Sequence, residues 1–527
     1  MMTSRRDFLL MTAAGWGYAA GGLGAASRAQ ALTRRRRIIF NDDGNDVWHP
    51  AASSPEGLLS VRLQHAAGTQ VDTIFYCTTH SFNYHTYNTA VGEVFLSREG
   101  PYADNNMQAL LDAGTDPLEV AVQFAHANDI EAFWTLRMND IHAAFIPALW
   151  PQWKTDNPGA LLGKREDWDA NPPGSQARWW SGVDFARDDV RERTRELIDE
   201  VARGYDVDGI DLDWMRHPIH FHETLRGQPV PSEKAELLTG LVRDIRAMLD
   251  ARGEERGRPI VLSVRVPMLL GACLYLGTDI ETWLRHGLVD MVVAGGGYIP
   301  FSMPSGELVG LCRRYDVPVY PCVSASGMIR PPHVEDNGVF GQLYGIEAWR
   351  ATAQTAFAAG ADGICLFNLF PDPGDDERTR LAHQVFAECG DPATLADLPK
   401  LYCLDSAEWL DDSGYTNHVI DYGHCLPRAL AAGEVVEVGL PIGGDPAGAV
   451  SAVLRLQTAG ARKLSVRLNG HSVELQPAPE LDASIGLAWM TAEVAPAALR
   501  QGINECHVRL VEGEPVDLTG VELLLSP

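Results

Sequence analysis

Between residues 37 and 390 two kinds of apolar pattern alternate along the chain. Short, nearly continuous apolar runs rich in β-branched residues occupy 37–42, 71–78, 130–136, 207–214, 259–266, 289–295, 317–324 and 361–369. Between and after them lie segments whose apolar positions recur about every 3.6 residues, at 55–67, 116–127, 188–204, 233–252, 279–287, 307–316, 345–360 and 377–389. Strands without polar alternation are those buried on both faces, as in a parallel sheet. Eight strand–helix units in succession predict a (β/α)8 TIM barrel of class α/β. A doubly wound open sheet is the alternative, but it gives no reason for strands that end in acids. Gly295-Gly296-Gly297 lacks the spacing and the following helix start of a dinucleotide loop, and reads as a close-packed strand end.

The pattern changes after about residue 395. Short alternating runs at 435–440, 448–456, 463–468, 488–493, 505–511 and 521–525 are broken by Gly, Pro and Asn, which predicts a smaller antiparallel β-sandwich. The expected organisation is therefore a leader over 1–31, a barrel over 32–395 and a sandwich over 396–527. The leader reads Ser4-Arg5-Arg6-Asp7-Phe8-Leu9-Leu10, then a Gly/Ala-rich apolar stretch, then Ala29-Gln30-Ala31. It resembles a twin-arginine signal peptide with an A-x-A cleavage site, implying a periplasmic or extracellular protein without a stable membrane span in the mature chain.

Composition narrows the partners more than the fold. Apolar content of 46% and charged content of 21% are those of an ordinary globular protein. A formal charge of −27 argues against nucleic acid or anionic membrane as a partner. The nine cysteines show no metal-ligand spacing, although Cys403 and Cys425 could pair in an oxidising compartment. No cofactor motif or metal site is expected, and the oligomeric state is left open.

Barrel enzymes draw their chemistry from the C-terminal ends of the strands. Those ends offer Asp43, His80, Arg137, Asn139, Asp140, His142, Asp211, Asp213, Trp214, Arg216, His217, Arg265, Tyr298 and Asn368. Asp211 and Asp213 share a face of the fourth strand, with Asp213 nearer the rim. Two buried acids on one strand are costly unless paired or working. Asp211 is expected to pair with Arg137 or Arg265, and Asp213 to be functional. Trp150, Trp153, Trp168, Trp179 and Trp180 follow the third strand and could stack on sugar faces.

The fourth-strand run Asp208-Gly209-Ile210-Asp211-Leu212-Asp213-Trp214 resembles the signature of chitinase-like family-18 glycoside hydrolases, with Met215 where their catalytic glutamate stands. It also resembles the fourth strand of the α-amylase family, which would put the nucleophile on Asp213, although no Glu ends the fifth strand. The chain is more similar to the glycoside hydrolase-like family 10 barrels of secreted bacterial proteins. Asp208, Gly209, Asp213, Trp214, Arg216 and Pro218 carry that resemblance, with Phe40-Asn41-Asp42-Asp43-Gly44, Arg137-Met138-Asn139-Asp140 and Gly360-Ala361-Asp362-Gly363-Ile364. It spans roughly residues 37–390 and implies a carbohydrate-active barrel without a firm catalytic pair.

The leading expectation is a secreted glycoside hydrolase acting on a polysaccharide or oligosaccharide. Asp213 would be nucleophile or base and Asp140 the proton donor, with Asp43 and Glu347 in reserve. The remaining strand-end residues would bind substrate. One alternative is a metal-dependent polysaccharide deacetylase, because the Asp43 run and the His80/His85 pair are similar to the metal-binding strand ends of those enzymes. The other is a carbohydrate-binding barrel that has lost its chemistry.

Overall fold

A computed structural model describes residues 31, 33–171, 175–295, 301, 303–328, 343–405, 425–460, 462–481 and 487–527. The expected leader and Tyr298 lie outside the described residues. Eight parallel strands close into a barrel: β1 (Ile38–Asp42), β2 (Val71–Cys77), β3 (Glu131–Arg137), β4 (Gly209–Asp213), β5 (Val261–Pro267), β6 (Met291–Gly295), β7 (Val319–Ser324) and β8 (Ile364–Phe367). Each pairs with its sequence neighbours, and β8 closes on β1. The protein is a TIM barrel followed by an antiparallel β domain.

The strands are buried on both faces because two separate cores use them. Ile39, Phe75, Phe133, Val261, Met291 and Val293 belong to a cluster inside the barrel. The alternate residues, such as Ile38, Trp134, Ile210 and Leu262, pack outward under the helices. Gly209 is needed at the inner face: a Cβ there would stand 2.2 Å from the Phe133 ring. At the base, Arg36 and Glu131 form a buried bidentate pair (2.6 and 2.8 Å) between the first and third strands.

The C-terminal strands are β9 (Lys400–Cys403), β10 (Arg428–Leu430), β11 (Val435–Ile442), β12 (Ser451–Thr458), β13 (Lys463–Leu468), β14 (His471–Val473), β15 (Gln476–Pro477), β16 (Ala488–Val494), β17 (Gly502–Glu512) and β18 (Val516–Ser526). They form one sheet in the order β9-β18-β12-β16-β15, with β10 on β18, and a second in the order β11-β17-β13-β14. Alternate residues such as Leu440, Leu454, Val508 and Leu523 fill the space between them. The β domain packs against the Ile346–Ala359 helix of the barrel, where the Gly443 backbone meets that of Thr355 too closely for a side chain. Among the described residues no helix is long and apolar enough to cross a membrane.

Candidate active site

The register of three strands decides how the central charges pair. Arg137, Asp213 and Arg265 are level on β3, β4 and β5, one layer above Asp211 and Ser263. Arg265 consequently meets the rim acid and not the deeper one. Its Nε and Nη2 donate to Asp213 at 2.8 and 2.5 Å, while the Met215 and Arg216 amides donate to Oδ1 at 2.9 Å each. Asp213 thus orients the backbone that carries Arg216. Asp211 accepts from the Ser263 hydroxyl at 2.7 Å. Burial, aided by the charge of Asp213, pushes its carboxyl up to about 7. The expected partner of the deeper acid is on the other aspartate.

Asp140 does not suit the role of proton donor. It is fully buried, with Oδ1 accepting from the His142 amide (2.9 Å) and Nδ1 (2.8 Å), and Oδ2 from Arg137 (3.2 Å). Burial alone would raise its pKa, but His142, Arg137 and His217 hold it well below the carboxylate range, so it keeps no proton to give. Arg137 also reaches Asp43 at 2.9 Å and binds the two acids of β1 and β3 together.

Several other candidates are absorbed by the fold. Asn139 uses its amide on the Val183 and Ile219 carbonyls and its oxygen on the Val183 amide, stapling the loops after β3 and β4. Trp214 is fully buried against Phe185, His220 and Trp283, on the opposite strand face from Asp213. His217 is buried edge-on to His142. Trp150 stacks on Trp180, and Trp153 packs on Phe82, so these rings serve each other.

The open space lies to one side of this network. A cavity of about 600 Å³ at the C-terminal ends of the strands is lined by Asp43, Asp46, Trp48, Arg62, His142, Arg216, Asn368, Phe370 and Arg378, among others. Of the expected residues, Asp43, His142, Arg216 and Asn368 meet there. Asp140, Asp211, Asp213, Arg137 and Arg265 stand behind the wall, and Glu347, in the first turn of the 346–359 helix, is not part of the lining.

The loop after β1 sets the two pocket carboxyls. Gly44 has φ +63°, and a Cβ on it would fall 1.8 Å from the Cys77 carbonyl oxygen, so only glycine permits this approach to β2. Its amide donates to Asp42 (3.0 Å), and the chain then enters the short turn Asp46–Trp48. Burial works to raise Asp43, but Arg137 and Arg216 outweigh it and bring the carboxyl down to about 2. Asp46 is the reverse: burial, with Asp42 adding to it, pushes it up to about 8. The Tyr76 hydroxyl donates to Asp46 Oδ1 at 2.8 Å, while buried Oδ2 has no partner among the described residues. Asp46, Trp48, Arg62, Phe370 and Arg378 escaped the sequence reading. The run Asp42-Asp43-Gly44-Asn45-Asp46 held the signal, three acids in one strand-end loop.

The deacetylase set does not assemble. His80 and His85 are buried, each beside a threonine hydroxyl (3.1 and 3.4 Å), and burial pushes both down to about 3. They do not gather with Asp43 within ligating distance. Asp140, His142 and His217 do present ligand atoms within 4.8 Å of one another. However, Arg137 on Asp140 and Arg216 on His142 (2.9 Å) already supply the positive charge there, so we assign no metal.

Lys154, behind Asp140, offers a test of this buried network. It has no exposure, and its ammonium meets the Asp140 carbonyl at 3.5 Å and lies over the Trp150 ring at 5.8 Å, with no carboxylate in contact among the described residues. Burial pushes its pKa down to about 7 from 10.5. A lysine depressed in the folded state destabilises fully below pH 7, and progressively less as pH rises toward its unfolded value. Lys154→Met should therefore stabilise the protein by about 3 kcal/mol more at pH 6 than at pH 9.5, read from unfolding of both proteins at each pH.

No protein-family model and no curated protein sequence matches the chain. Among solved structures, α-L-fucosidase isoenzyme 2 from Paenibacillus thiaminolyticus is similar with a TM-score of 0.40 and 13% identity, over 67% of this chain and 49% of that one. This chain thus spans about half the length of the fucosidase. A family 18 N-acetylglucosaminidase from Paenibacillus barengoltzii gives 0.37 and 14%, over 67% and 99%. An α-amylase from Geobacillus thermoleovorans gives 0.39 and 11%, over 90% and 99%. Function has to be read from the site itself.

Proposed function

We propose that this protein is an exported glycoside hydrolase that works in the cavity above β1, with Asp46 as proton donor and Asp43 as the ionised carboxylate. The observation that carries this reading is that one cavity is lined by two acids in opposite surroundings, Asp43 against Arg137 and brought down to about 2, and Asp46 buried beside Asp42 and pushed up to about 8. Glycosidic cleavage needs one carboxyl that keeps its proton near neutrality and a second that does not. Asp46 meets the first requirement through burial beside Asp42; its Oδ2, itself buried, has no hydrogen-bond partner among the described residues. Asp43 meets the second through Arg137 and Arg216.

The pieces around them divide the remaining work. Trp48 and Phe370 give the cavity an aromatic lining, although Trp48 packs on His80, Phe95 and Tyr102 and Arg62 covers one face of Phe370. Asp213, spent on Arg265 and two amides, positions the Arg216 loop and is not the nucleophile. Arg137 holds Asp43 in place from behind. Export through the twin-arginine route belongs to the same reading and rests on the leader motif.

The test is reducing-end release from a panel of polysaccharides and oligosaccharides. Cleavage of at least one substrate is expected, with activity steady across neutral pH and falling as pH rises through about 8, where Asp46 loses its proton. No cleavage of any panel member, with the protein folded, would overturn the assignment.

A further inference from the structure

The cavity gathers arginines in a strongly negative chain. The formal charge is −27, yet three arginines, Arg62, Arg216 and Arg378, line one wall system. Arg62 is committed: it pairs with Asp42 at 3.1 Å, reaches Asn45, and lies over the Phe370 ring at 3.9 Å. The other two have no carboxylate within 4.0 Å among the described residues.

Arg216 is held ready without being satisfied. Asp140 accepts from His142 Nδ1, which leaves His142 Nε2 to accept from Arg216 Nη2 at 2.9 Å. The Asp213 carboxylate fixes the Arg216 amide. The buried Nε of Arg216 has no hydrogen-bond partner among the described residues. Arg378 donates Nε to the Phe370 carbonyl at 3.1 Å and Nη2 to the Asn368 carbonyl at 2.8 Å, both neutral acceptors. Burial, and then Arg62, push its pKa down, and the exposed Asp372 and Asp375 only partly offset them.

The acids facing this space do not neutralise it. Asp43 is in direct contact with Arg137 and reaches Arg216 only through space. Asp46 keeps its proton below about pH 8. Asp372, on the rim, is exposed to solvent, where its charge is screened. Two half-buried guanidiniums with no carboxylate in direct contact among the described residues are costly. Their fork geometry matches a carboxylate or a sulfate.

We infer that the cavity selects a sugar carrying an anionic group, a uronic-acid carboxylate or a sulfate ester, bound by Arg216 and Arg378. The inference rests on the cavity being a sugar site. It adds what the sugar must carry.

Calorimetric titration of the full chain with tetragalacturonate, a carrageenan tetrasaccharide and maltotetraose tests it. One of the two anionic probes should bind at least roughly tenfold more tightly than maltotetraose. The carboxylate and sulfate arms tell which anion the site takes. Arg378→Gln should weaken the anionic probe by about tenfold and leave maltotetraose unchanged, and Arg216→Gln should weaken the anionic probe more than maltotetraose. If either variant fails to fold, added salt serves instead, and should weaken the anionic probe selectively in the unaltered protein.

Equal or tighter binding of maltotetraose, or equal losses for both kinds of probe in the variants, overturns the inference. Reducing-end release, followed in parallel, separates it from the hydrolase assignment. Cleavage confined to neutral sugars sinks the anionic site and keeps the hydrolase. Selective anionic binding without any cleavage does the opposite.

Discussion

Arg265→Met should cost about 3–5 kcal/mol of stability, because it strands Asp213 as an unpaired charge at 2% exposure. Arg265 supplies both short contacts to that carboxylate, and the two remaining amides are neutral donors. Adding Asp213→Leu to Arg265→Met should recover much of the loss, since removing both charges removes the desolvation penalty as well. Denaturant unfolding of the two variants beside the unaltered protein measures this. A loss under about 1 kcal/mol in the single variant would mean that Asp213 is not held as the geometry requires.

Asp46→Asn should lower kcat by about 10²–10⁴-fold, the usual worth of a positioned proton donor. Asn retains an oxygen to accept from the Tyr76 hydroxyl, and it imitates the neutral carboxyl that burial already enforces. Stability at neutral pH should therefore change little, which separates a chemical role from a structural one. The alkaline fall in activity near pH 8 should disappear with the carboxyl that causes it. A variant with full kcat and an unchanged pH profile would remove Asp46 from the mechanism.

The barrel was legible because its evidence is repeated. The observed strands and helices fall on the apolar runs and periodic segments, with ends shifted by a few residues where strands give way to loops. The final strand Val516–Ser526 was underestimated at its N-terminal end, where Asp517 and the small residues Thr519 and Gly520 interrupt the apolar pattern. The alternation that places Asp211 and Asp213 on one face was equally readable, since period two is local. It also placed Trp214 on the opposite face, and counting that ring among the sugar-binding residues ran against the same rule.

What was not legible depended on register and on loop direction. Whether Arg265 meets Asp211 or Asp213 follows from the relative height of separate strands, which no single segment encodes. The burial of Asp46 follows from the turn at Gly44 and from Tyr76 on the neighbouring strand. Asp140 looked like a free acid at a strand end, and only three-dimensional packing shows His142, Arg137 and His217 gathered around it. A sequence reports which residue types are present at a strand tip; it does not report which of them have spent their hydrogen bonds.

Gly44 has a consequence for how this pocket meets its substrate. With its backbone seated on the Cys77 carbonyl, Gly44 pins the loop between Asp42 and the Asp46–Trp48 turn against β2. On the proposed assignment, Asp46 and Asp43 would stand in place before substrate arrives, and binding energy would not be drawn off to assemble them. Adaptation to different sugars would fall to the opposite wall, built from the loops after β7 and β8, while the reacting groups stay where the first strand leaves them.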